Sequence, residues 1–217
     1  EISNRVGLSY QLETNKINLS VDTFINQIND FIYLKPTGTQ TTIRGAFPVW
    51  EYFKTNASLV GIDTSIDYQF TKLWSLNSSF SYVYGQNTEE DIPLIDIPAF
   101  KLNNAINYKL KKWNHLNVRL AHEWVGRQNR YPNYNFETYI PTTGEYIEVD
   151  ISTPPDAYQL IHLFGDVTFL LNHEFNLNLM IGITNIFNTN YREYLNRLRY
   201  FADDTGRNIT IQIKFNY

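Results

Sequence analysis

Apolar residues recur at every second position through about nine long stretches of this 217-residue chain. A period of two places successive side chains on opposite faces of an extended strand, so each stretch has one apolar and one polar face. Val6, Leu8, Tyr10 and Leu12 alternate with Arg5, Gly7, Ser9 and Gln11, and Trp74, Leu76, Phe80 and Tyr82 oppose Ser75, Asn77, Ser79 and Ser81. The last stretch, GRNITIQIKFNY, sets Ile209, Ile211, Ile213, Phe215 and Tyr217 against Thr210, Gln212, Lys214 and Asn216. Most stretches reach the roughly 9 to 11 residues that a tilted strand needs to cross a bilayer, where a globular strand usually has about five or six. An all-β, antiparallel chain is expected.

The connectors alternate in length. Those at 14–16, 71–73, 111–114 and 172–174 are tight; those at 35–52, 87–99, 129–156 and 188–205 are long. One end of the sheet is trimmed and the other decorated, as in up-and-down barrels of the bacterial outer membrane, with short periplasmic turns and long extracellular loops. The polar face supports the same reading. It is mostly Asn, Ser, Thr and Gln, which suits a wet lumen or a surface facing a plug. Aromatic residues gather near stretch ends, Trp74, Tyr84, Tyr108, Trp124, Phe169 and Tyr217 among them, as in the girdles at membrane interfaces. The alternative is a soluble antiparallel sheet with ordinary aromatic cross-strand pairs.

Composition narrows the classes. With 18 Lys and Arg against 22 Asp and Glu, the net charge of −4 provides no basic field for nucleic acid. No apolar run approaches the length of a membrane-spanning helix. The absence of Cys excludes disulfides and thiolate metal sites. The chain opens on EISNRVGLSYQLE without an initiator Met or a signal peptide, so it reads as a mature or truncated piece. An odd count of strands points the same way, because single-chain bacterial barrels have even counts.

Specific residues add a resemblance. Asn185, Ile186, Phe187 and Asn188, then Tyr191, then Gly206, Arg207 and Asn208 opening a final strand that closes on an aromatic, resemble the C-terminal end of TonB-dependent outer-membrane receptors. IPLIDIPAFKLNNAINYKL, with Pro93 and Pro98, is similar to the family's proline-flanked loop that drops into a strand. AYQLIHLFGDVTFLL and LNLMIGITNIFN are similar to its penultimate hairpin. Asn188 stands where Asp is usual and Ile186 where Leu is usual. The resemblance implies a barrel of about 22 strands plugged by an N-terminal domain, of which this chain supplies about nine C-terminal strands, starting near strand 14, without the plug.

The same resemblance implies uptake of a scarce nutrient, most commonly a ferric siderophore or similar chelate, released inward when a TonB complex pulls on the plug. Other implied partners are outer-membrane lipid, the missing plug and barrel half, and the assembly machinery, which reads the terminal aromatics Phe215 and Tyr217. No cofactor and no enzymatic chemistry are expected. Alternatives are a passive porin-like barrel and a soluble glycan-binding β-module.

Two segments are candidates for ligand contact. In the longest loop, Tyr131, Tyr134, Phe136 and Tyr139 offer faces that stack on sugars or planar chelators; a self-packed hairpin is the other reading. In YREYLNRLRYF, Arg192, Arg197 and Arg199 could draw an anionic chelate; pairing with Glu193, Asp203 or Asp204 is the other reading. His115 and His173 fall at tight turns and His122 and His162 within strands, away from the long loops. No HExxH, Gly-rich phosphate loop or nucleophile elbow is present. The acidic runs Glu89, Glu90, Asp91 and Asp203, Asp204 read as solvated.

Overall fold

The computed structural model describes residues 1–42, 45–110, 115–170 and 176–216. It is an all-β antiparallel structure. Nine strands, β1 (Ile2–Glu13), β2 (Ile17–Thr42), β3 (Gly45–Gln69), β4 (Trp74–Asn87), β6 (Lys101–Leu110), β7 (Leu116–Val125), β10 (Tyr158–Leu170), β11 (Asn176–Thr184) and β12 (Asn208–Asn216), lie side by side in chain order. A two-residue strand, β5 (Ile92–Pro93), pairs with β4, and β8 (Phe136–Ile140) with β9 (Glu145–Val149) makes a separate hairpin. The sheet is open, with β1 and β12 at its edges.

Register turns the sequence alternation into two continuous faces. Ile106, Leu120, Leu163, Ile183 and Ile209 form one unbroken row over five strands. Ser9, Asp22, Asp63, Ser81 and Lys101 form a polar row on the opposite side. Among the described residues no second layer covers the apolar rows, and Leu8, Leu120, Ile181 and Ile211 are exposed. A polar interruption crosses the apolar face, where Ser78, Asn104 and His122 follow one another in a row. Ser78 donates to Asn104 Oδ1 at 2.8 Å, and His122 Nε2 lies 3.3 Å from Gln159 Oε1.

Both described tight turns use the same device. Thr14 Oγ1 accepts the Ile17 N–H at 2.9 Å while the Thr14 N–H donates to Ile17 O at 2.8 Å. Thr71 repeats it with Trp74 at 3.2 and 3.3 Å. A threonine hydroxyl thus replaces a backbone partner at each reversal. On the polar face Phe24 sits opposite both Gly7 and Gly61. A Cβ at Gly61 would lie 2.3 Å from its ring, and Arg5 stacks over that ring at 4.2 Å.

Three of the long connectors are more ordered than their composition suggests. Residues 35–42 and 45–52 extend β2 and β3 into a tall antiparallel pair, with irregularities of register between Ile28/Phe31 and Pro36/Gly38. The 129–156 connector contains the β8–β9 hairpin, tied to β2 by the hydroxyls of Thr39 and Thr138 at 3.0 Å. The 188–205 connector contains a 3-10 turn, Arg197–Tyr200. The turns expected at 111–114 and 172–174, together with His173 and the terminal Tyr217, lie outside the described residues. Leu94, Gln128, Ile151, Ser152, Leu160, Tyr194 and Arg199 are each buried.

Candidate ligand-binding site

A cavity of ≈ 570 Å³ opens at the loop end, where three segments distant in sequence meet. The tall β2–β3 hairpin contributes Phe47, Pro48 and Trp50, β9 and its extension contribute Ile147 to Ile151, and the 188–205 segment contributes Arg197, Arg199, Tyr200 and Phe201. Asp96 closes one side.

The 188–205 segment is held by its own acids. Asn196 caps the 3-10 turn by accepting the Leu198 N–H at 2.9 Å. Asp204 accepts from the Glu193 N–H and from Asn196 Nδ2, both at 2.7 Å. Asp203 receives Arg192 Nε at 2.6 Å, and Arg192 Nη1 also donates to Arg199 O at 2.7 Å. The adjacent carboxylates therefore clamp the loop, Asp203 from a position still open to solvent.

Arg199 is 5% exposed. It donates to Tyr194 O and Tyr200 Oη and lies between the two rings, 4.5 and 4.6 Å from their centroids. Tyr200 Oη donates in turn to Ile151 O, which ties the turn to the end of β9. Burial pushes the Tyr194 hydroxyl up to about 12, against the pull of the Arg199 charge, and raises that of Tyr200. Both phenols remain neutral at ordinary pH.

Arg197 differs from its neighbours. Its guanidinium is well exposed, 4.0 Å from Asp96 and 5.6 Å from the centre of the Trp50 ring, so neither contact engages it tightly. With the exposed rings of Phe47 and Phe201 it forms an aromatic-and-cation lining open to the outside. Such a lining can stack on flat or apolar ligand surface and supply directed hydrogen bonds. Among the described residues, no group of three or more His, Asp or Glu is placed to hold a metal ion directly.

A family model described as TonB dependent receptor-like, β-barrel, matches residues 1–186. The chain belongs to that family. Solved structures agree on the fold. A structure titled copper transporter OprC superposes with a TM-score of 0.77 at 17% identity, covering 99% of this chain and 31% of that one. The FrpB iron transporter from Neisseria meningitidis gives 0.67 at 13%, covering 99% and 30%. The siderophore receptor PirA from Acinetobacter baumannii gives 0.63 at 18%, covering 99% and 31%. This chain thus spans under a third of each relative's length. No curated protein sequence matches it.

In this receptor barrel the loop-end residues read from the sequence fall in three places. Arg197 and Arg199 line the cavity, Arg199 from a buried position. Arg192 stands behind it in the pair with Asp203. Tyr131, Tyr134, Phe136 and Tyr139 are not among the lining residues. Tyr139 stacks with Tyr146 at 5.3 Å across the β8–β9 hairpin, and Phe136 pairs with Val149. Tyr134 lies 5.3 Å beneath Lys35 Nζ, which also pairs with Glu90 at 3.3 Å; burial raises its hydroxyl. Phe47, Trp50, Asp96, Glu148 and Phe201 were not picked out by sequence reasoning. The only signal for the first two is the aromatic density of AFPVWEYF, in a stretch that reads as connector.

Proposed function

We propose that this chain forms the C-terminal part of the outer-membrane barrel of a TonB-dependent receptor, and that its loop-end cavity contacts a scarce metal chelate, of the ferric siderophore kind, on its way in. The cavity carries this reading. It combines aromatic faces with one loosely held guanidinium, at the decorated end of a wall that also carries an uncovered, largely apolar face. That face suits lipid and speaks against a soluble glycan-binding module, which would cover it. The relatives titled as copper, iron and siderophore transporters or receptors favour a metal chelate over other nutrients. In this reading the polar face lines the lumen and meets the plug, through which the TonB complex acts. The aromatic residues of the long loop, Tyr131, Tyr134, Phe136 and Tyr139, support the hairpin that frames the cavity, and Arg192 and Arg199 brace its floor. Phe215 and Tyr217 supply the aromatic signal for the assembly machinery.

The test is chelate uptake by iron-starved cells carrying the full-length receptor with Trp50→Ala and Arg197→Ala. Chelate binding is expected to weaken by roughly 10- to 100-fold, the loss of a stacking face and a charged donor, while the amount of assembled receptor is unchanged. Uptake should also cease when the proton-motive force is dissipated. Continued uptake under that condition would favour a passive pore, and unaltered binding in the double variant would remove the cavity from the pathway.

A further inference from the structure

The approaches to the cavity are acidic. Residues 136–150, which form the β8–β9 hairpin, contain four carboxylates and no Lys or Arg; residues 87–99, which supply Asp96, contain four more and again no cation. Some of these are answered internally. Lys35 pairs with Glu90 at 3.3 Å, and Asp150 accepts the Ser152 and Thr153 amides at 3.2 and 2.9 Å. At the cavity itself, Asp96 has only the 4.0 Å contact with Arg197, and Glu148 receives a single amide bond, from Asn135 at 3.2 Å.

The arginines do not offset this. Arg192 is neutralised by Asp203 at 2.6 Å. Arg199 is buried, with Nη1 and Nη2 turned to Tyr194 O and Tyr200 Oη. Of the described residues lining the cavity, Arg197 alone presents an exposed positive charge, with the buried Arg199 beside it, against the carboxylates of Asp96, Glu148 and Asp150. The ring faces of Trp50 and of Phe201, which is 73% exposed, add negative quadrupole to the same wall.

We infer that the cavity selects its ligand by charge, admitting metal chelates of zero or positive net charge and turning away polyanionic ones. The inference rests on the reading that the cavity binds a chelate at all. The chemical classes follow from the donor groups. Three singly charged hydroxamates leave a ferric complex neutral, and a pendant ammonium makes it a cation that can sit over Trp50 or Phe201. Three doubly charged catecholates leave a trianion, which meets three lining carboxylates with one exposed and one buried arginine to offset them. Steering by the surrounding loops acts in the same direction and is screened by salt.

Equilibrium binding to the detergent-solubilised full-length receptor tests this with two probes, a ferric trihydroxamate bearing a pendant ammonium and a ferric tris-catecholate. At low ionic strength the hydroxamate is expected to bind at least about tenfold more tightly, with the gap narrowing as salt is raised. Asp96→Asn with Glu148→Gln should narrow it too, because the first keeps a side chain suited to the left-handed backbone at φ 57° and the second keeps the acceptor for Asn135. Equal or tighter binding of the catecholate overturns the charge selection. If that binding is lost in Trp50→Ala, the cavity stands as a chelate site and only the charge inference falls. Failure of both probes to bind contradicts both.

Discussion

Arg199, read from the sequence as a candidate ligand contact, lines the loop-end cavity and also ties the segments around it together. Its charge is buried, and its donors reach Tyr194 and Tyr200, which link the 3-10 turn to the end of β9. Arg199→Ala is therefore expected to free the 188–205 segment at a cost of about 2–4 kcal/mol, the loss of bonds to a charged donor together with packing; hydrogen exchange would show faster exchange there and little change in β10 and β11. Asp150 brings pH into the same region. Burial works against its charge, but the Thr153 and Ser152 amides and the Asn135 side chain hold its carboxyl below 3.8. A lowered folded-state value means that the anchoring is complete above the unfolded value and is lost as pH falls through the folded one. Exchange at Ser152 and Thr153 should accelerate only below about pH 4, and Asp150→Asn should remove that pH dependence. The sequence shows these charges but not their partners. Asp203 and Asp204 look like any exposed acidic pair until the loop folds back to set them against Arg192, Asn196 and the Glu193 amide.

At the scale of elements, the strands were legible wherever one face is apolar and the other wet. Alternation arises from that difference, which is why Leu177, Leu179, Ile181 and Ile183 announce β11 plainly. Above the apolar band both faces of a strand meet water, the selection for alternation ends, and a strand there looks like a loop. The upper parts of β2 and β3 illustrate this. Pro36, Gly38 and Pro48 read as breakers, yet the pairing continues through Pro36↔Trp50 and Thr39↔Pro48 beyond one irregularity of register. The cavity was illegible for the same reason, since it needs the top of this hairpin beside β9 and the 3-10 turn. Replacing residues 37–48 with a two-residue turn should remove Phe47 and Pro48 from the wall and weaken chelate binding by at least about tenfold. Strand content by circular dichroism should fall only by the residues removed, because the pairing of β2 with β3 below Pro36 is independent of the tip.

For the whole molecule, an open nine-stranded antiparallel wall with uncovered apolar rows makes physical sense as part of a closed barrel in lipid, where unpaired edges are not tolerated. Family membership and superposition on receptors more than three times as long place this wall within a larger barrel fold. Spin labels along β11 test this directly. Single cysteines introduced in the full-length receptor from Asn176 to Thr184, each carrying a nitroxide, report contact with lipid through oxygen and with water through a polar paramagnetic reagent. Oxygen accessibility is predicted to peak at 177, 179, 181 and 183, with the polar reagent peaking at 176, 178, 180 and 182 in opposite phase. Profiles in the same phase, or an apolar face reached by the polar reagent along its whole length, would contradict a lipid-facing barrel wall.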